Sequence, residues 1–388
     1  MFHGSKKAVL VAAVALAMVA VRAQAGALET ALEGTGPGNF LTQNNVNVGG
    51  WVEASTTWGL LDDPEGDVLA GRAFDFEHAD PTLNQIGIYL DRQTDYAQAW
   101  DLGGRFEMIY GADARFTAAN GSDLETGAFP ENQFDITQLY AEVVIPVGTG
   151  LKTKIGKFNT ALGYEYVNPT QNALYSHSFI FGLVPYTHTG VLASYNITET
   201  GNLSIGVARG WDQSLEDNND AIEGLVFWTD KVGDQVTYAL NLSVGPQTES
   251  NDHYRTAVDF WADYAMSEDL VLGVNADYVY DSAQGQDGDA AHTYGAALYA
   301  KYNPAGWRYV GLNARLEWFE DTSRISGFDS TLYEATLGAT ITPMAGHAVG
   351  QFWKIRPEVR YDYASNDIFN AGTEDSQLTA AIETLFSF

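Results

Sequence analysis

The 388-residue sequence contains no cysteine. That excludes a disulfide framework and any thiolate metal site. Basic residues are also scarce: 20 Lys and Arg stand against 50 Asp and Glu, for a formal net charge of −30. Nucleic acid needs a basic footprint, so it is not an expected partner. An apolar run of the roughly 20 residues that a membrane-spanning helix requires is missing too. The longest such stretch, 8–21, is shorter and sits near the N-terminus. If this chain crosses a membrane, it crosses as strands.

What is present begins with an export signal. Lys6 and Lys7 precede the apolar run, and Ala23-Gln24-Ala25 follows it as a small-residue cleavage site. We expect 1–25 to be a signal peptide, 26–46 to be irregular, and 47–388 to form the folded body. A chain this acidic would be disordered if it lacked apolar and aromatic residues. It has 13% aromatic residues and 39 glycines, a composition suited to many strands and turns.

The stretch Lys354 to Tyr363, KIRPEVRYDY, carries the pattern most openly. Lys354, Arg356, Glu358, Arg360 and Asp362 alternate with Ile355, Pro357, Val359, Tyr361 and Tyr363. A period of two means a strand with one charged and one apolar face. The same pattern recurs near 47–58, 83–93, 101–111, 134–146, 150–158, 189–197, 202–210, 221–230, 233–244, 255–266, 269–280, 292–303, 308–320, 329–342, 352–363 and 376–388. The expected fold is all-β, a transmembrane antiparallel up-and-down barrel of about 16 strands, within 14–18. Long outer connections alternate with short periplasmic turns, and the third outer one, 159–188, is the longest. Trp58, Trp211 and Trp318 fall at outer strand ends, and Trp100, Trp228, Trp307 and Trp353 at periplasmic ends, where interfacial girdles form. Two residues fit poorly. Pro357 cannot donate a ladder hydrogen bond, so a bond is missing there or the strand is bulged. Lys157 shares a parity with Thr153 and Ile155 and must snorkel or shift register.

The third outer loop is apolar and aromatic, unlike the acidic loops 62–67 and 212–220. Thirty residues without a regular period point to a functional loop. Its Tyr164, Glu165, Tyr166, Tyr175, Phe179, Phe181 and Tyr186 either constrict the bore or pack across the rim or a subunit interface. Candidate pore-lining residues are Arg105, Glu107, Asp259, Asp263, Arg315, Glu317, Glu334, Lys354, Arg356, Glu358, Arg360 and Asp362. Such charges set the field a solute crosses, or form cross-strand pairs that stabilise the sheet. Histidines 177, 188, 253, 292 and 347 lack metal-ligand spacing. The run Asp281 to Asp289 lacks the EF-hand order. Loosely held divalent ions between acidic loops and lipid phosphates stay open. No nucleophile elbow or organised triad is visible, so no catalytic residue, metal or cofactor is expected.

Several pieces in order carry a resemblance: Ile155-Gly-Lys-Phe-Asn-Thr, Gly163-Tyr-Glu, Asn168-Pro-Thr-Gln-Asn, Gly182 to Gly190 (GLVPYTHTG), Gly210-Trp211 and Arg356 to Asp362. From about Gly49 to Phe388 the chain resembles β-barrel porins of the OmpL-like type in Gram-negative outer membranes. The resemblance implies a diffusion channel for small hydrophilic solutes, embedded among outer-membrane lipid and lipopolysaccharide. Similar proteins are often homotrimers. The acidity itself predicts a preference for cations. Rival readings are an adhesive or structural barrel, a barrel enzyme such as a lipase, and a soluble secreted β-protein.

Overall fold

The computed structural model describes residues 26–61, 67–95, 99–122, 131–249, 251–283 and 288–388. The expected signal peptide and most of the acidic stretch 62–67 lie outside the described residues, as does part of the run 281–289.

Sixteen strands form one closed sheet. The first eight are β1 (Val46–Gly59), β2 (Thr82–Arg92), β3 (Asp101–Gly111), β4 (Gln133–Ile145), β5 (Leu151–Asn159), β6 (Thr187–Asn196), β7 (Asn202–Ala208) and β8 (Glu223–Val232). The second eight are β9 (Val236–Pro246), β10 (Tyr254–Ala265), β11 (Leu270–Asp281), β12 (Ala291–Tyr302), β13 (Val310–Glu320), β14 (Thr331–Ile341), β15 (Trp353–Ala364) and β16 (Ser376–Ser387). Each strand is antiparallel to its sequence neighbours, and β1 closes on β16 from Trp51↔Ser387 to Gly59↔Thr379. Gly50 and Phe388 exchange two backbone hydrogen bonds of 2.8 Å at that seam. Closure leaves no open edge, which a bilayer would not tolerate. The expected segments match the observed strands to within three residues.

Alternation explains which way each side chain points. In β15 Val359, Tyr361 and Tyr363 are exposed on the outside, whereas Arg356, Glu358, Arg360 and Asp362 are buried inside. An Arg or Lys facing lipid at the midplane costs roughly 2–4 kcal/mol, so segregation of this kind is selected strand by strand. The ends with short turns, 93–100, 146–150, 197–201 and 233–235 among them, mark the periplasmic side.

Four departures from the sequence reading are informative. Residues 26–46 are not irregular: α1 (Ala27–Leu32) and α2 (Gly36–Gln43) precede β1. The Thr35 hydroxyl caps α2 by accepting from the Gly38 N–H at 3.1 Å, and Pro37 sits in its first turn. Trp211 is not part of the girdle. Its indole N–H donates to Ser243 Oγ at 2.8 Å, on the inner face, and Arg255 lies over its ring at 4.9 Å. The inner face is also less uniformly polar than the alternation implies. Leu225, Phe227, Ala257, Val279, Ala297, Phe319, Leu332 and Ala364 form a continuous apolar lining toward the outer end. The fourth departure concerns Lys157, which neither snorkels nor faces lipid. It is buried with its ammonium 3.1 Å from Asp135, beside a bulge where β4 carries one extra residue against β3.

Pro357 resolves as the missing-bond alternative. The β14–β15 ladder skips the pairs opposite Arg356 and Pro357 and resumes at Ile341↔Ile355 in the same register. The proline is accommodated by an interruption, not by a bulge.

Candidate functional site

The third outer connection, 160–186, does not lie over the rim. It enters the barrel and is bonded to inward side chains on β1, β2, β9, β10, β11, β13 and β15. Asn241 of β9 donates to the Ala161 carbonyl at 2.7 Å, and Asn275 of β11 accepts from the Tyr164 N–H at 3.1 Å. Gln85 of β2 donates to the Val167 carbonyl at 2.9 Å, and Ser55 of β1 shares a 2.6 Å hydrogen bond with the Tyr175 hydroxyl. Two carboxylates receive pairs of backbone N–H groups from the loop. Glu358 accepts from Tyr175 and Ser176 at 3.0 and 3.2 Å, and Glu317 from Phe179 and Ile180 at 2.7 and 2.8 Å. Three guanidiniums hold loop carbonyls: Arg356 that of Asn172 (2.6 Å), Arg315 that of Ser176 (2.7 Å) and Arg360 that of His177 (2.6 Å). Irregular backbone inside a low-dielectric barrel must find partners for its N–H and C=O groups. The charged rows of β13 and β15 supply them.

The apolar lining of the outer half is the seat for the loop's rings. Phe179 stacks on Phe319 at 5.9 Å and meets Phe328 edge-on at 5.8 Å, while Phe181 stacks on His177 at 3.9 Å. Tyr186 lies 5.2 Å from Phe181. Wall glycines make room for this seat. A Cβ on Gly295 would fall 2.5 Å from Ile180 Cγ2, and one on Gly338 would fall 2.7 Å from Leu174 Cδ2. Both positions face inward, so their missing side chains are what lets the loop approach.

Of the twelve proposed lining residues, eleven have named interior partners. Arg105 bonds Glu107 (3.1 Å from Nε) and Asp91 (3.3 Å), with its guanidinium over the Tyr89 ring. Asp259 is held by Asn241 and Asn275 at 2.6 and 2.7 Å. Asp263 accepts from the Tyr164 hydroxyl at 2.5 Å. Arg315 bridges Glu334 on the wall (2.9 Å) and Glu165 on the loop (2.7 Å). Arg356 pairs with Glu383, and Arg360 with Asp362 at 2.7 Å. Lys354 shares the inward parity of its strand and is half-buried. Tyr166 differs from the other loop candidates, being 40% exposed.

Sequence reasoning missed several interior groups. Arg72 and Asp75, from the first outer loop, form an ion pair inside the barrel, and Arg72 also approaches Glu358 at 3.6 Å. Nothing in their local sequence marks this. Glu53, Lys152 and Lys154 also face inward, and strand alternation alone identifies them. Asp113, at the start of the second outer loop, accepts from Gln85 at 2.8 Å. Burial pushes its carboxyl up to about 7 despite that bond. Burial opposes ionisation of Glu165 as well, but the Arg315 guanidinium and the two hydrogen bonds from Ser178 outweigh it and hold the carboxyl below its ordinary range. Burial keeps His177 neutral, its pKa below 6.5.

The model of a family described as "Putative beta-barrel porin-2, OmpL-like" matches residues 45–388. No curated protein matches the chain. Among solved structures, Salmonella typhi OmpF (in complex with daunomycin) is similar at 12% identity and TM-score 0.61, covering 89% of this chain and 99% of that one. The outer membrane channel DcaP of Acinetobacter baumannii gives 13% identity and TM-score 0.55 over 88% and 97%. An anion-selective porin from Comamonas acidovorans gives 11% identity and TM-score 0.55 over 88% and 99%. At these identities the likeness is one of fold.

Proposed function

The chain belongs to the OmpL-like porin-2 family of outer-membrane β-barrels, and from that premise we propose a passive diffusion channel for small hydrophilic solutes and ions that prefers cations. The observation that carries this reading is a closed 16-strand barrel with charged inner rows and a long loop bonded across its bore. In this role the third loop is the constriction. The charges of β3, β10, β13, β14 and β15 set the field beside it.

Cation preference rests on the net charge of −30 and on where the basic groups are. Arg315, Arg356 and Arg360 are each bound to a carboxylate and to a loop carbonyl, so they present little free positive charge. The acidic outer loops are left to raise local cation concentration. Recording in planar bilayers under a salt gradient tests this. A reversal potential of the sign for cation flow is expected, and the opposite sign would remove the preference while leaving the channel.

A homotrimer belongs to the same proposal. β7 has only 7 residues, fewer than the 9–11 a lipid-facing strand needs, yet Ile205 and Val207 are exposed on its outer side. A neighbouring copy would cover this short stretch of wall. Cross-linking in native membranes that yields monomer alone would refute it. One observation favours a second reading, a barrel with a plugged bore that acts through its outer loops. The third loop is bonded to strands on both halves of the wall, and the cavity beside it holds only about 250 Å³. That reading predicts no conductance at all.

A further inference from the structure

Beneath the third loop, toward the short-turn end, lies a cavity of about 250 Å³ bounded by loop residues 164–166 and 171–174 and by β10, β12 and β13. We propose that it binds one neutral sugar ring, a hydroxyl-rich solute with one apolar face. The proposal rests on the channel reading for how the solute arrives, but not for the binding itself.

Charge balance narrows the solute class first. Lys301 and Asp263 face each other at 3.5 Å and are each about a third exposed to the cavity. The Asp263 carboxylate also accepts from the Tyr164 hydroxyl, and the Lys301 ammonium lies 4.7 Å from the Tyr164 ring centre. Each charge is therefore already compensated. An anion would have to compete with Asp263 for the lysine, and a cation with Lys301 for the carboxylate. What the pair still offers is a donor beside an acceptor, the match for a hydroxyl group, which both donates and accepts. The Gln171 amide lies on the loop side of the same cavity, whereas that of Asn172 is bonded to the Tyr166 N–H and carbonyl and holds that ring in place.

Ring faces narrow it further. Tyr164 is occupied, stacked on Tyr299 at 4.3 Å and carrying Lys301. Tyr166, 40% exposed, and the partly buried Trp261 are the rings that remain for a solute. Aromatic faces with a few placed polar groups are the usual construction of a small-molecule site. The volume falls just under the roughly 300 Å³ at which pockets for drug-sized ligands begin, so it suits one ring and not two. Wall glycine again permits the arrangement: a Cβ on Gly273 would fall 2.4 Å from the Tyr164 hydroxyl.

The test is ligand-detected NMR titration of the detergent-purified protein with glucose, beside Trp261→Ala, Tyr166→Ala and Trp261→Phe. Saturable binding is expected in the wild type, weakened at least tenfold by either alanine and by less than threefold by phenylalanine. Tyr166 is on the loop, so its variant keeps the test open should Trp261→Ala not fold. Glutamine and succinate should not compete. Absence of saturable glucose binding, equal binding in Tyr166→Ala, or displacement by glutamine or succinate would each overturn the proposal. Bilayer conductance of the same preparations reads the channel separately. Glucose binding without ion conductance upholds the site and removes the channel reading, whereas conductance without glucose binding does the reverse.

Discussion

Arg315 is the group whose removal should disturb the barrel interior most. It is fully buried, and its guanidinium holds Glu334 on the wall together with Glu165 and the Ser176 carbonyl on the third loop. Glu317 lies one inward position further along the same strand. Arg315→Met keeps much of the volume but leaves these carboxylates without their cation. Breaking a buried ion pair from one side costs about 3–5 kcal/mol. At 1.4 kcal/mol per tenfold, that shifts the docked-to-released ratio of the loop by roughly 100- to 4,000-fold. The native chain has no cysteine, so a single Leu183→Cys reports release without background. Leu183 is buried in the loop's turn Ile180–Leu183, and a maleimide too large to enter the barrel should label it slowly. In the Arg315→Met background labelling should accelerate at least a hundredfold, while the strands stay folded by circular dichroism. Unchanged labelling with an intact barrel would refute the claim that this guanidinium anchors the loop.

Three further outcomes follow from the same geometry. Gly338→Ala should lower thermal stability by about 1–3 kcal/mol through overpacking against Leu174, and Leu174→Ala in that background should restore part of the loss, as a double-mutant cycle would read. Asp113 retains its proton to about pH 7 when folded, against 3.8 as its ordinary value. Between those limits the folded chain binds more protons than the unfolded one, so this group's contribution is greatest below pH 4 and declines as pH rises through 7. Thermal melts of the detergent-solubilised protein should show that decline, and Asp113→Asn should flatten it. Glu165 has the opposite sign. Its depressed pKa makes its contribution full above about pH 4.5 and lost below, so labelling at Leu183→Cys, taken relative to a free thiol at the same pH, should rise on acidification and lose that dependence in Glu165→Gln.

The strands were legible because lipid on one side and polar interior on the other impose a period of two on every one of them. Arg356 and Arg360 sit where that parity puts them. The loop's apolar character was legible too, but its seat was not. Leu225, Phe227, Val279 and Leu332 read locally as ordinary strand residues, and only the folded loop makes them a core. Gly295 and Gly338 carried the complementary signal, small residues at inward positions, but a glycine in a strand has several readings. The N-terminal helices were hidden by a Gly- and Asn-rich composition, although Thr35-Gly-Pro is a helix start. Arg72 reaches the interior through tertiary folding of its loop, for which its neighbours in sequence give no period.

The central claim, that the third loop divides the bore of a closed barrel, is tested most directly by single-channel recording. The wild type is compared with a variant in which residues 165–183 are replaced by a short Gly-Ser linker. The account predicts small, uniform steps for the wild type and steps several times larger for the variant. Equal conductance in the two, with both barrels folded, would contradict it.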